Sequence, residues 1–188
     1  MPFFTVILPL YNKENFVRDA ITSILNQTFT DFVLLIVNDC STDKSVEIAS
    51  EFLSEKVQII HHEKNYGLAA TRNTGIKKAT SNYVTFLDAD DVWKPHFLEK
   101  IFQLIQNFPE AQIFGTNYEE VWEKTIKKPH NGSENLPTDF TGYVNFFQIN
   151  LKQGIYNHGS VCLHKKVYEK VGYYNESIKF SEDLDFNI

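Results

Sequence analysis

Four times before Phe108, a short β-rich apolar run gives way to an amphipathic helical period, and this alternation leaves few folds open. Residues 4–8 read Phe-Thr-Val-Ile-Leu and meet Pro9, which predicts a first strand that stops at the proline. From Glu14 onward the apolar residues pair as Phe16/Val17, Ala20/Ile21 and Ile24/Leu25, the spacing of one face of a helix. Residues 32–37 form a second, wholly apolar strand. A helix with Val46, Ala49, Phe52 and Leu53 inward follows, with Ser41 or Thr42 as its expected cap and Asp43 in its first turn. Residues 57–60 make a third strand, 68–79 a third helix, 83–87 a fourth strand and 97–108 a fourth helix. Strands separated by crossover helices pair in parallel and bury both faces, so the expected architecture is α/β, a doubly wound, mostly parallel central sheet with helices on both sides.

Sheets of that kind bind ligands beyond the carboxyl ends of their strands. Three of those ends carry polar loops here, at residues 9–14, 38–43 and 88–91. The last is the most telling. Apolar residues run straight into Asp88, Asp90 and Asp91, placing like charges together, which disfavours full ionisation unless a cation or hydrogen-bond donors compensate. Hard carboxylate oxygens suit Mg2+ or Mn2+, which commonly take one or two carboxylates and complete their shell with water and phosphate oxygens. A plainer use is also open: aspartates after a strand can cap the next helix, with Pro95 near its start.

The chain has 188 residues, 43% of them hydrophobic and 22% charged, which suits one globular domain. Its net charge of −6 argues against nucleic acid as a partner. The longest apolar run, 32–37, falls far short of the roughly 20 residues of a membrane-spanning helix. With no basic segment followed by an apolar one at the N-terminus, the expected location is cytoplasmic, and Cys40 and Cys162 are expected as free thiols. Asn131-Gly132-Ser133 is read as loop sequence rather than a glycosylation site. In the second half the pattern changes. Residues 118–122 suit a strand, 124–142 a polar loop, 143–149 a short helix, 160–164 a strand and 166–171 a short helix. The chain then reaches Ser181-Glu182-Asp183 and stops at Ile188 in what reads as the opening of a helix, as a fragment of a longer protein does.

Five stretches in this order resemble family 2 glycosyltransferases of the GT-A fold. They are Val6-Ile7-Leu8-Pro9-Leu10-Tyr11-Asn12 with Glu14; Val37-Asn38-Asp39-Cys40-Ser41-Thr42-Asp43; Asn65-Tyr66-Gly67 through Thr71-Arg72-Asn73-Thr74-Gly75; Phe86-Leu87-Asp88-Ala89-Asp90-Asp91; and Ser181-Glu182-Asp183. No single stretch is specific, but the ordered set is. The resemblance implies a single GT-A domain over 1–188, with a nucleotide-sugar-binding half at 1–115 and an acceptor-side half at 116–188 that carries a small antiparallel addition. It implies that Pro9, Tyr11 and Glu14 line the nucleotide pocket, that Asp39 bonds the base edge, that Asp88 meets the ribose and that Arg72 lies near the diphosphate. Asp90 would ligate Mn2+ or Mg2+, and Asp183 would be the general base, with Glu182 beside it. The implied reaction is inverting transfer of a sugar from a nucleotide diphosphate, UDP first, to a glycan or lipid-linked acceptor in polysaccharide or cell-envelope biosynthesis, with peripheral membrane association through further C-terminal segments. Where the family usually has two aspartates this chain has Asn38-Asp39, and Cys40 stands where glycine is common.

Each of these residues also has a simpler use. Glu14, Asp39 and Asp183 can cap helices, Arg72 can make a surface ion pair, and His158 can be an exposed loop residue rather than an acceptor contact. Two other functions compete: a nucleotide-sugar-binding module without turnover, and a haloacid-dehalogenase-type phosphatase. The phosphatase carries its aspartate pair near the chain start and a threonine soon after it, neither of which is seen here. No Gly-x-Gly-x-x-Gly follows any strand, which argues against a dinucleotide oxidoreductase.

Overall fold

The computed structural model describes residues 1–122, 125–127, 137, 139–144 and 157–178. β1 (Phe4–Leu10), α1 (Val17–Leu25), β2 (Phe32–Asn38), α2 (Ser45–Ser50), β3 (Val57–His61), α3 (Leu68–Lys78), β4 (Tyr83–Phe86) and α4 (Phe97–Asn107) reproduce the fourfold alternation. There follow β5 (Ile113–Gly115), a hairpin of β6 (Glu120–Trp122) and β7 (Thr125–Lys127), a 3-10 turn at His158–Ser160, β8 (Val161–His164) and α5 (Lys166–Val171). Six strands form one sheet in the order β3-β2-β1-β4-β8-β5. The first four are parallel, and β8 runs antiparallel to both β4 and β5.

β1 is buried along its whole length because it lies between neighbours and both of its faces are covered. Its alternate residues serve opposite layers. Phe4, Val6, Leu8 and Leu10 pack in one cluster with Val17, Ala20, Ile21 and Ile24 of α1 and Leu98, Ile101 and Ile105 of α4. Ile7 joins the other cluster, with Ala69 and Ile76 of α3 and Val84 and Phe86 of β4. Helices therefore cover both faces, as the alternation requires. α3 comes so close that a Cβ on Gly75 would stand 2.5 Å from Ile7 Cγ2, a distance only glycine avoids.

Local expectations are corrected at three points. β1 does not stop at Pro9 but runs on to Leu10, in register with Val37 and Asn38 of β2. The Leu10 carbonyl accepts from Asp39 N on the β2 side, whereas the Ile7 carbonyl accepts from Leu87 N on the β4 side. By alternation the missing Pro9 N–H faces the β4 side, where pairing has already ended at Phe86, so no ladder bond is lost. The start of α2 is held not by Ser41 or Thr42 but by Asp43, whose Oδ1 accepts from Ser45 N at 2.9 Å. β7 occupies part of the stretch read as polar loop, because Val121 finds a cross-strand partner in Ile126. The helix expected at 143–149 and the loop around Asn131 lie largely outside the described residues.

Candidate active site

The chain turns from β1 outward through β2 and β3, then crosses back to place β4 on the other side of β1. Strand order thus reverses between β1 and β4, and the loops after these strands, together with the loop after β2, border the crevice where such sheets bind ligands. The loops after β1 and β2 are interlocked by their own polar groups. Asn12 N donates to Ser41 Oγ, Thr42 N to Asn12 Oδ1, Lys13 N to Ser45 Oγ and Glu14 N to Asp43 Oδ2. Asn12 and Cys40 hold left-handed backbone, at φ 51° and 64°. Glu14 Oε2 accepts from Lys44 N at 3.0 Å, so this acid does engage the start of α2. Tyr11 is exposed beside it, and Pro9 is buried within β1.

Asp39 is 3% exposed and heavily bonded. Oδ1 lies 2.7 Å from His62 Nδ1 and accepts from Tyr66 N at 2.8 Å, while Oδ2 accepts from Gly67 N at 2.8 Å. Those two amides belong to the turn that opens α3, where Gly67 takes φ 93°. Asp39 therefore anchors α3 to the carboxyl end of β2.

At the end of β4 the three aspartates take different environments. Asp88 Oδ1 accepts from Arg72 Nη2 at 3.3 Å, and the guanidinium, far from being a surface group, is 3% exposed. Asp90 points outward at 42% side-chain exposure and meets Lys13 Nζ at 2.5 Å. This ion pair joins the β1 loop to the β4 loop. Burial pushes the Asp91 carboxyl up, and the nearby Asp88 and Asp90 charges push it the same way. A hydrogen bond from Asn157 and the Lys13 charge oppose them. None of the three caps α4, whose N-cap residue His96 makes no side-chain capping bond.

The second half of the chain closes this end of the sheet. Trp93 Nε1 donates to the Gly159 carbonyl at 2.6 Å, and Asn157 Nδ2 reaches Asp91 Oδ2 at 3.5 Å. His158 is not an exposed loop residue. Its Nε2 lies 2.9 Å from Tyr174 Oη, and its ring meets Phe86 edge on. Asn73, 2% exposed, grips the same tyrosine by its backbone: Oδ1 accepts from Tyr174 N at 3.0 Å and Nδ2 donates to the Tyr174 carbonyl at 2.9 Å. The Arg72 guanidinium stands 5.8 Å from the Tyr174 ring centre.

Asp39, Arg72, Asp88 and Asp90, together with the exposed Tyr11, thus belong to one end of the sheet, whereas Glu182 and Asp183 lie outside the described residues. Lys13, His62, Asn157 and Tyr174 escape a reading of the sequence because their partners lie between 12 and 102 positions away in the chain and no local pattern marks them.

This architecture is shared with solved structures. S. aureus TarS 1-349 in complex with UDP-GlcNAc superposes with a TM-score of 0.83 at 22% identity, over 97% of this chain and 51% of TarS 1-349. The mannosyltransferase PcManGT from Pyrobaculum calidifontis, in complex with GDP-Man and Mn2+, gives 0.68 at 15% identity, over 94% of this chain and 48% of that one. Residues 5–172 match the model of glycosyl transferase family 2, and the chain belongs to that family. Glycosyltransferase GlyA of Streptococcus pneumoniae serotype 4 is 42% identical over 115 residues, 61% of this chain and 16% of GlyA. The putative teichuronic acid biosynthesis glycosyltransferase TuaG of Bacillus subtilis is 38% identical over 101 residues, 53% of this chain and 40% of TuaG. The uncharacterized glycosyltransferase EpsJ of B. subtilis is 27% identical over the whole of this chain, which spans 56% of EpsJ.

Proposed function

We propose that this chain is the donor-binding core of an inverting glycosyltransferase that moves a sugar from a nucleotide diphosphate, UDP first, to a glycan or lipid-linked acceptor in cell-envelope polysaccharide synthesis. The observation that carries this reading is that a buried, heavily bonded carboxylate at Asp39, a buried arginine at Arg72 and an outward carboxylate at Asp90 gather at the carboxyl end of the sheet.

Asp39 supplies the base reading. A carboxylate accepts hydrogen bonds only, so it suits a base with a ring N–H, as in uracil or guanine, and not the bare ring nitrogens of cytosine or adenine. The solved relatives named above, with UDP-GlcNAc and GDP-Man, carry bases of that kind. Tyr11, exposed on the β1 loop, offers a face for the base, with Glu14 in the same loop and Pro9 inside β1 just before it. Asp88 takes the ribose hydroxyls while it holds Arg72 near the diphosphate.

The residues fit a divalent ion of one kind. Among the described residues no three acidic, histidine or cysteine side chains converge on a point, so an ion bound here would have few protein oxygens and would complete its shell with water and phosphate. Asp90 offers a hard oxygen at the surface that already draws a cation, the Lys13 ammonium. Mn2+ or Mg2+ there would spread the charge that develops on a departing diphosphate. Arg72 acts on the same charge from its buried position. Asp183 is the general base for the acceptor hydroxyl, with Glu182 beside it, and attack opposite the leaving group inverts the anomeric carbon. Action at the cytoplasmic face of a membrane, held by segments outside this chain, belongs to the same reading; no described helix is long and apolar enough to cross one.

The test is calorimetric titration of UDP with Mn2+, repeated with EDTA and with Asp90→Ala. Binding that needs both the ion and Asp90 is expected. Binding indifferent to both removes the metal assignment, and no binding by the wild type removes the donor assignment. On the transfer step, Asp183→Asn is expected to bind UDP normally and to lose turnover; unchanged turnover ends the base assignment.

A further inference from the structure

We propose that His62, a residue with no motif signal in the sequence, is a specificity-determining positioning residue that holds Asp39 in the orientation that reads the donor base. This rests on the donor reading given above.

The imidazole is held at both ends. Nδ1 lies 2.7 Å from Asp39 Oδ1 and Nε2 lies 2.9 Å from Thr74 Oγ1. The two side chains of the acid–imidazole pair are only 4% and 9% exposed, so water does not substitute for either contact. An ionised carboxylate has no proton to give, so Nδ1–H donates to Asp39. In the neutral ring Nε2 then accepts the Thr74 hydroxyl, a tautomer assigned from the network. Thr74 lies on α3, the same helix whose opening turn sends the Tyr66 and Gly67 amides to Asp39.

The lone pairs can be counted. A carboxylate presents about four acceptor positions. His62 and Tyr66 take the two on Oδ1, and Gly67 takes one on Oδ2. One position on Oδ2 is left, and with Oδ1 clamped from two sides its direction is set by the fold. A fixed acceptor discriminates: it takes the ring N–H of uracil and repels the bare ring nitrogen of cytosine at the same place. Without His62 only the two amides of the turn that opens α3 hold the carboxylate, one on each oxygen, so its tilt is set less tightly and the preference weakens. Aspartate alone does not suffice.

Nucleotide titrations with UDP and with CDP, both in Mn2+, test this as a ratio of affinities. His62→Ala is expected to weaken UDP binding about tenfold while leaving CDP within about twofold, because only the oriented charge-assisted bond is lost. In His62→Asn the amide nitrogen stands where Nδ1 stood, so the ratio is expected to stay within about threefold of wild type. Equal weakening of both nucleotides by His62→Ala, or an unchanged ratio, overturns the proposal, since a purely structural role moves both alike. Should His62→Ala fail to fold, Thr74→Val carries the test: it removes the hydroxyl behind Nε2 and is expected to lower the ratio about threefold, and no change overturns the proposal. Asp39→Asn separates the two levels of inference. If it leaves the ratio intact, the base reading itself is wrong; if it collapses the ratio and His62→Ala does not, the base reading stands and His62 has no part in it.

Discussion

Arg72 on α3 donates to Asp88 at the end of β4 across 3.3 Å, and the guanidinium is 3% exposed while the carboxylate is 31% exposed. The arginine charge is thus inside and its counter-charge is partly open to solvent. Asp88→Ala strands a buried cation from one of its partners and is expected to lower unfolding stability by about 1–3 kcal/mol. Asp90→Ala breaks a pair whose members are 37% and 42% exposed and is expected to change it by less than about 1 kcal/mol. Urea unfolding of both variants decides the matter, and equal losses would mean that Asp88 does not balance Arg72.

Gly75 tolerates no side chain. Alanine is the better helix former by about 1 kcal/mol, but its Cβ would stand 2.5–2.9 Å from three side-chain carbons of Ile7, itself wholly buried. Gly75→Ala is expected to be net destabilising by about 1–3 kcal/mol, because a packed core cannot yield that distance without moving α3 off β1. A double-mutant cycle with Ile7→Ala checks the mechanism: the pair should show a favourable coupling, as the small residue makes room for the added methyl.

The pH dependence has a definite sign. Burial, and after it the nearby Arg72 charge, pushes the His158 imidazole down to about 3 from its ordinary 6.5. The unfolded chain therefore binds a proton that the folded chain refuses between those two values. Stability from this group is complete above about pH 6.5 and falls with pH below it, by up to about 1.4 kcal/mol per unit, until the folded group titrates near 3. His158→Gln is expected to flatten the slope between pH 6 and 4, measured as urea midpoints across that range relative to wild type. A parallel pair of curves would show that the imidazole titrates normally in the folded chain.

Cys40 sits at φ 64°, a left-handed conformation that costs an L residue about 1–2 kcal/mol. Glycine escapes that cost but gives up about 0.5–1 kcal/mol in unfolded-chain entropy. Cys40→Gly is expected to be neutral to stabilising by about 1 kcal/mol, and Cys40→Val, β-branched and worse in this region, to be destabilising. Thermal melts of the two variants should order them Gly above Cys above Val, and the reverse order would mean the loop relaxes out of the left-handed region.

Local periodicity made much of this fold legible. Each of the four strand–helix units needs only a short apolar run and a helical period, and parallel pairing follows from the length of the crossovers. Element ends were less legible. Pro9 reads as a terminator only while its neighbours are unknown; in the sheet its missing N–H falls on the side where β4 has already ended. β7 lies in a polar segment, and its strand character comes from the partner it meets, Val121 against Ile126, rather than from its own residues.

The candidate site divides along the same physical line. Alone, the sequence determined which residue types stand at the strand ends, because a buried apolar run that breaks into Asp88, Asp90 and Asp91, or into Asp39, is a pattern of neighbours in the chain. Only the tertiary structure decided what each of those carboxylates does: Asp39 bound by His62 and the α3 amides, Asp88 by a buried Arg72, Asp90 by Lys13 from the β1 loop, and Asp91 pressed toward its neutral form. The reason is that a carboxylate's orientation and charge depend on burial and on donors within about 3 Å, and those donors come from elements 16 to 77 residues away that only the winding of the sheet brings together.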